Sequence, residues 1–181
     1  ILATIAASIV MIAAHGLRVT TAELHEGDIP KDVDSIIIAP SVRTIGDDAF
    51  CDCKQLRYIE FEEGSSVSRI GDYAFLGCTS LETITLPPSV TSLGTGCFRE
   101  CESLESLRFP DKKTEIPADC FMWCYGLKSV ELPAGVLTLG RNAFVGCISL
   151  AAIDIPQSVE IVGMNCFTGC ESLREITFPA G

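Results

Sequence analysis

Apolar and polar positions fall into a repeating frame marked by six phenylalanines. Phe50, Phe75, Phe98, Phe121, Phe144 and Phe167 recur with spacings of 25, 23, 23, 23 and 23 residues. A period this short predicts a solenoid, each repeat being one coil of chain stacked on the next. The third residue after each Phe is cysteine: Cys53, Cys78, Cys101, Cys124, Cys147 and Cys170. The sixth is leucine: Leu56, Leu81, Leu104, Leu127, Leu150 and Leu173. Nine and eleven positions on come apolar pairs such as Ile84 and Leu86 or Leu107 and Phe109, the inward face of a short strand. A proline then ends the strand at Pro87, Pro110, Pro133, Pro156 and Pro179, with Glu62 in that place in one coil. That coil also carries the two extra residues, within Glu62 to Ser66, and so a longer loop.

The remainder of a coil is placed from runs such as PSVTSLGTGCFRECESLESL. Val90 and Leu93 form a short extended arm, Gly94 opens a single helical turn around Phe98, and Leu104 leads into the next strand. Gly46, Gly71, Gly94, Gly140 and Gly163 share one register position, which Pro117 fills in the remaining coil. Proline holds a negative φ, so the position does not demand a positive one. Glycine is there for want of bulk.

The runs SVRTIGDDAF, SVSRIGDYAF, SVTSLGTGCF, VLTLGRNAF and SVEIVGMNCF, each followed by a cysteine and a Leu-x-x-Ile-x-Leu-Pro-like stretch, resemble the 23-residue leucine-rich repeats of the BspA-like, or Treponema pallidum, type. The resemblance spans about residues 33 to 181. It implies an α/β solenoid, a right-handed superhelix with parallel strands on the concave face and short helical turns on the convex side. It also implies a place among bacterial and protist proteins that are often surface-associated and engaged in adhesion or recognition. The family brings no catalytic residues.

Residues 35–181 are read as the array of about six repeats, with Ile36 and Ile38 in the strand register of a first partial coil. Residues 18–34 are polar and mixed, and read as a connector. Residues 1–17 contain no Asp, Glu, Lys or Arg, and two readings stand: a signal or anchor remnant, or a helix capping the first coil, with Ile1, Ile5, Ile9 and Ile12 on one face. With no initiating Met and no C-terminal cap in view, the sequence is expected to be a fragment of a longer protein.

Among 181 residues, 48% are hydrophobic and 20% charged, enough apolar material for a sizeable core. The net charge of -11 repels phosphate backbones and argues against nucleic acid as a partner. Of ten cysteines, six share one register position, and Cys97, Cys120 and Cys166 stand just before the Phe, where other coils have Ala49, Ala74 and Ala143. That sharing points to buried free thiols acting as core rather than to disulfides or metal, and Cys51, outside both registers, is the expected exposed thiol.

Only two histidines occur, His15 and His25, with no phosphate loop and no nucleophile elbow. No enzyme, cofactor or metal site is expected. Function therefore falls to the surface. The residues seven, eight and ten after each Phe point away from the core on the sheet, and from them come the partner-binding candidates Tyr58, Glu60, Glu82, Thr85, Glu105, Arg108, Lys128, Glu131 and Asp154. Over all coils these positions hold four positive and six negative charges. Such a mixed face suits a protein or peptide partner. Trp123 is added as an aromatic anchor, flanked by Met122 and Tyr125 and preceded by Lys112 and Lys113; the plainer reading is a local apolar cover. The expected function is a recognition scaffold, secreted or at the cell surface, with a structural spacer in a longer protein, or a cytoplasmic place, as the alternatives. A membrane enters only through residues 1–17.

Overall fold

In the computed structural model the described residues are 9–11, 16–110 and 115–177. Strands are numbered along the chain. Each coil runs through three hydrogen-bonded strips. The first is a long parallel sheet of β2 (Gly16–Val19), β4 (Ser35–Ile38), β6 (Tyr58–Phe61), β8 (Thr83–Thr85), β10 (Ser106–Arg108) and β12 (Ser129–Glu131), with β1 (Ile9–Met11) antiparallel to β2 at its edge. Next to β12 lies β14 (Ala152–Asp154), which pairs with β16 (Glu175–Thr177). The alternation is strict: Ile84, Leu107, Val130 and Ile153 are buried between exposed neighbours.

The second strip has two-residue strands. β3 (Glu23–Leu24), β5 (Thr44–Ile45), β7 (Arg69–Ile70) and β9 (Ser92–Leu93) form one sheet, and β11 (Glu115–Ile116), β13 (Thr138–Leu139) and β15 (Ile161–Val162) another. In the three coils with glycine before the break, and in the two after it, the glycine N–H extends this strip, as in Gly94 to Ile70 at 2.8 Å and Gly140 to Ile116 at 2.8 Å. A Cβ on Gly140 or Gly163 would lie 2.5 Å from backbone nitrogen of the preceding coil. The glycines are thus required for closeness, as the sequence predicts.

The third strip corrects the expected helical turns. Among the described residues there is no α-helix; the segment around each Phe is a chain of tight turns. The reason lies in where the N–H groups go. Those of Phe50, Phe75, Phe98, Phe121 and Phe144 donate to the next coil, to Ala74, Cys97, Cys120, Ala143 and Cys166, at 2.7 to 3.0 Å. N–H groups spent between coils are not available for i→i−4 bonds. Two left-handed residues per coil complete the break, for example Tyr73 (φ 53) and Gly77 (φ 69), or Asp119 (φ 57) and Trp123 (φ 64).

Within the coils the Phe rings form a continuous stack, with centroids 4.9 to 5.7 Å apart and planes within 9° of parallel. Near-parallel rings report the rise per coil on the turn side. Strands on the other side stand about 4.8 Å apart, so the stack splays toward the rings and bends with the long sheet inside. The widest gap, 5.7 Å, separates Phe98 from Phe121. It coincides with the break between β9 and β11, where Pro117 offers no N–H to continue the strip. Phe109 meets Phe121 edge-on there, at 5.9 Å.

The array also starts earlier than Ile36. β2 pairs with β4 through Leu17↔Ile36 and Val19↔Ile38, and Leu24, Ile29 and Val33 are buried, so residues read as a connector contribute a coil. Ile29 stands five after Leu24, as Phe50 stands five after Ile45, which puts an aliphatic in the ring position. Of residues 1–17, read as a signal or anchor remnant or as a capping helix, Ile9–Met11 is a strand and residues 16 and 17 begin β2; residues 1–8 and 12–15 lie outside the described residues.

Candidate functional site

The solvent side of the long sheet holds nine of the ten candidates. Tyr58 and Glu60 project from β6, Thr85 from β8, Arg108 from β10, Glu131 from β12 and Asp154 from β14; Glu82, Glu105 and Lys128 come one residue before their strands. Parallel register aligns them in rows, with Thr85 opposite Arg108 and Arg108 opposite Glu131. Two cations are already partnered across coils. Arg57 meets Glu82 at 2.6 Å and Lys128 meets Glu105 at 2.7 Å. Tyr58 adds its hydroxyl to Glu82 at 3.2 Å and lies under the Arg57 guanidinium, 5.4 Å from its ring. The Arg57 hydrogen bond, more than its charge alone, holds Glu82 below the usual carboxylate range. These pairs are exposed and screened by solvent, so they order the face more than they stabilise the fold.

Beside this face lies a feature that the candidates only border. β6 and β8 share the single pair Tyr58↔Thr83, whereas β8 and β10 share three. Past that pair the strands part. A cleft of about 690 Å³ opens between Ile59, Glu60 and Phe61 on one side and Thr85, Leu86, Pro87 and Pro88 on the other, with the loop carrying the two extra residues as its far wall. Glu62 in that loop is clamped by Arg18, at 2.6 and 2.8 Å. A smaller groove of about 230 Å³ continues from Thr85, Leu86 and Pro88 to Arg108, Phe109 and Pro110. The signal that could have found the cleft is the insertion itself, since extra residues in one coil must be absorbed where neighbours pair.

Comparison with known proteins decides the family. The profile of the BspA type leucine rich repeat region, in six copies, matches residues 30–147 and 114–181. The chain belongs to the BspA-type leucine-rich-repeat family. A solved leucine rich cell surface protein from Faecalibacterium prausnitzii is similar over 93% of this chain and 52% of its own, at 27% identity and a TM-score of 0.75. A leucine-rich repeat protein from Eubacterium ventriosum is similar over 90% and 49%, at 26% identity and a TM-score of 0.65. The T. pallidum leucine rich repeat protein is similar over 75% and 83%, at 25% identity and a TM-score of 0.55. The chain spans about half the length of the first two. No curated protein matches it.

In this BspA-type frame the tenth candidate stands apart. Trp123 sits among the turns around Phe121, away from the long sheet, half-buried and in the left-handed conformation that Gly77, Gly146 and Gly169 adopt at the same position. The Arg99 guanidinium covers its ring at 4.6 Å, and Arg99 also meets Glu100 at 3.1 Å. Lys112 and Lys113 lie outside the described residues.

All ten cysteines are free thiols, eight of them buried; Cys51 and Cys170 are half-buried. Their role exceeds that of small apolar filler. Cys78, Cys101, Cys124, Cys147 and Cys170 each donate S–H to the carbonyl of the Phe one coil earlier, at 3.0 to 3.2 Å. Burial pushes the Cys53 thiol up to about 11 and Cys166 up to about 12. The Asp47 and Asp72 carboxylates also tie coils together. Asp47 accepts the N–H of Asp72 at 2.9 Å, and Asp72 that of Thr95 at 2.8 Å. The first of these bonds, helped by Arg69, holds Asp47 below its ordinary range.

Proposed function

We propose that the chain is a non-enzymatic recognition scaffold that binds a protein or peptide partner through the inner face of its long sheet, in a secreted or cell-surface setting. The observation behind this reading is the row of exposed side chains of both signs, fixed on a rigid ladder and alternating with buried Ile84, Leu107, Val130 and Ile153. Positions set by strand register offer a partner a preordered pattern, so little side-chain or backbone order has to be imposed on binding. The setting draws on the F. prausnitzii protein, which is described as a cell surface protein.

A structural spacer is the second reading, favoured by one observation. Arg57–Glu82 and Lys128–Glu105 join neighbouring coils and use face charges without any partner. Affinity capture separates the two. Tyr58, Glu82, Arg108 and Glu131 changed together to alanine should weaken capture at least tenfold, about 1.4 kcal/mol. Changing exposed Glu26, Asp32, Glu102 and Glu160, which lie off the face, should mainly slow association. Asp47 and Asp72 are unsuitable controls because they hold backbone N–H groups of the next coil. Equal capture by the wild-type chain and the first variant would leave the spacer reading.

A further inference from the structure

We propose that the cleft between β6 and β8 is a peptide subsite that takes a basic side chain, and that the groove leading from it to Arg108 selects a segment with a basic and an acidic residue two to four positions apart. This deepens the reading above and rests on it.

The cleft is held open by the chain itself. The two extra residues build one wall, and the other carries consecutive prolines, Pro87 and Pro88, whose fixed φ resists collapse onto the gap. Its volume of about 690 Å³ lies within the range of ligand sites, about 300 to 1,000 Å³. The floor is apolar, with Ile59 and Leu86 buried beneath it. The Oγ of Ser89 at its edge is buried without a hydrogen-bond partner.

Charge complementarity names the occupant. Three glutamates line the cleft, but Glu62 is taken by Arg18, while exposed Glu60 and Glu63 have no cationic partner among the described residues. Among those residues no acidic, His or Cys group converges well enough to hold a metal ion. A flexible ammonium or guanidinium on an alkyl stem fits both features, because the stem lies on the apolar floor and the head reaches the carboxylates.

The span sets the spacing. Glu60 and Arg108 are two strands apart, at least about 10 Å because β6 and β8 part beside Glu60, or three or more residues of extended peptide. Thr85, Leu86 and Pro88 line both the cleft and the groove, so one segment can cross from the acidic end to Arg108.

A random heptapeptide display library selected on the immobilised protein tests this. The expected enrichment is for peptides with Lys or Arg two to four positions from Asp or Glu, with apolar residues between. Synthetic copies should bind the E60Q/E63Q variant at least tenfold more weakly, and E60K/E63K should reverse the preference at that position. Both variants alter exposed side chains, and circular dichroism melts check that they fold. No enrichment over E60Q/E63Q, or enrichment without basic residues, overturns the proposal. Peptides that ignore E60Q/E63Q but fail on the Tyr58, Glu82, Arg108 and Glu131 variant would remove the cleft and keep the sheet face. Peptides indifferent to both would remove both.

Discussion

The thiol of Cys101 donates to the carbonyl of Phe75 in the preceding coil, at 3.2 Å. That carbonyl already accepts the N–H of Cys78 within its own coil, at 3.2 Å, so the thiol fills a second lone pair in the buried interior. The same bond recurs in successive coils and gives the cysteine column its regularity. Alanine would lose the donor, whereas the position before the Phe holds either Cys or Ala. Cys101→Ala is therefore expected to cost about 1 to 2 kcal/mol, and Cys97→Ala less than about 1 kcal/mol. Urea unfolding of the two variants checks the order, and a reversed order would remove the donor role.

Thiol accessibility follows from the same packing. In the folded protein only Cys51 and Cys170 should be open to a thiol reagent, and all ten should react in denaturant. Cys51 should be slow near neutral pH, because burial, then Asp52 and Asp48, raise its pKa. Rapid labelling of more than about three native cysteines would contradict the buried column.

Interior coils are gripped from both sides. Phe98 stacks on Phe75 and on Phe121, while Phe167 stacks on Phe144 and is only partly buried. Phe98→Ala should cost about 3 to 5 kcal/mol, and Phe167→Ala clearly less. Equal losses in denaturant unfolding would count against a one-dimensional stack.

Alkali should destabilise the fold. Folded Cys53 and Cys166 keep their protons up to about 11 and about 12, whereas unfolded thiols ionise from the ordinary value of 9.0. Above pH 9 the unfolded chain binds fewer protons than the native one, so stability falls with rising pH at about 1.4 kcal/mol per thiol per pH unit. The contribution is complete below pH 9 and is lost through the window up to about 12. Urea midpoints at pH 8 and 10.5 under reductant should show the fall, with a shallower slope in the Cys53→Ala/Cys166→Ala variant. An unchanged slope would mean that other groups carry it.

Repeat period, strand faces and the closeness demanded of Gly46, Gly71, Gly94, Gly140 and Gly163 were all readable from the chain. In a solenoid each coil meets nearly the same neighbour, so one periodic row of residues states one environment. The reading stopped where periodicity stopped. The first coil has Ile29 in the ring position and no cysteine mark, and it passed for a connector although Leu17, Leu24 and Val33 are buried.

The turns around each Phe were also out of reach. Nothing local forbids a helical turn at Phe75; the N–H of that residue goes to Cys97 because a second coil lies beside it at 2.9 Å. Tyr73 and Trp123 take left-handed φ for the same reason, at a cost that intercoil bonds offset. The cleft is the sharpest case. Two extra residues near Glu62 announced a longer loop, but whether they bulged into solvent or parted β6 from β8 depended on how adjoining coils stack. The sequence by itself determined the repeat, its core and the side chains offered to solvent, because these follow from each coil's own pattern. Only the tertiary structure decided the turn geometry, the thiol-to-carbonyl bonds and the opening beside Glu60, because each is a relation between neighbouring coils.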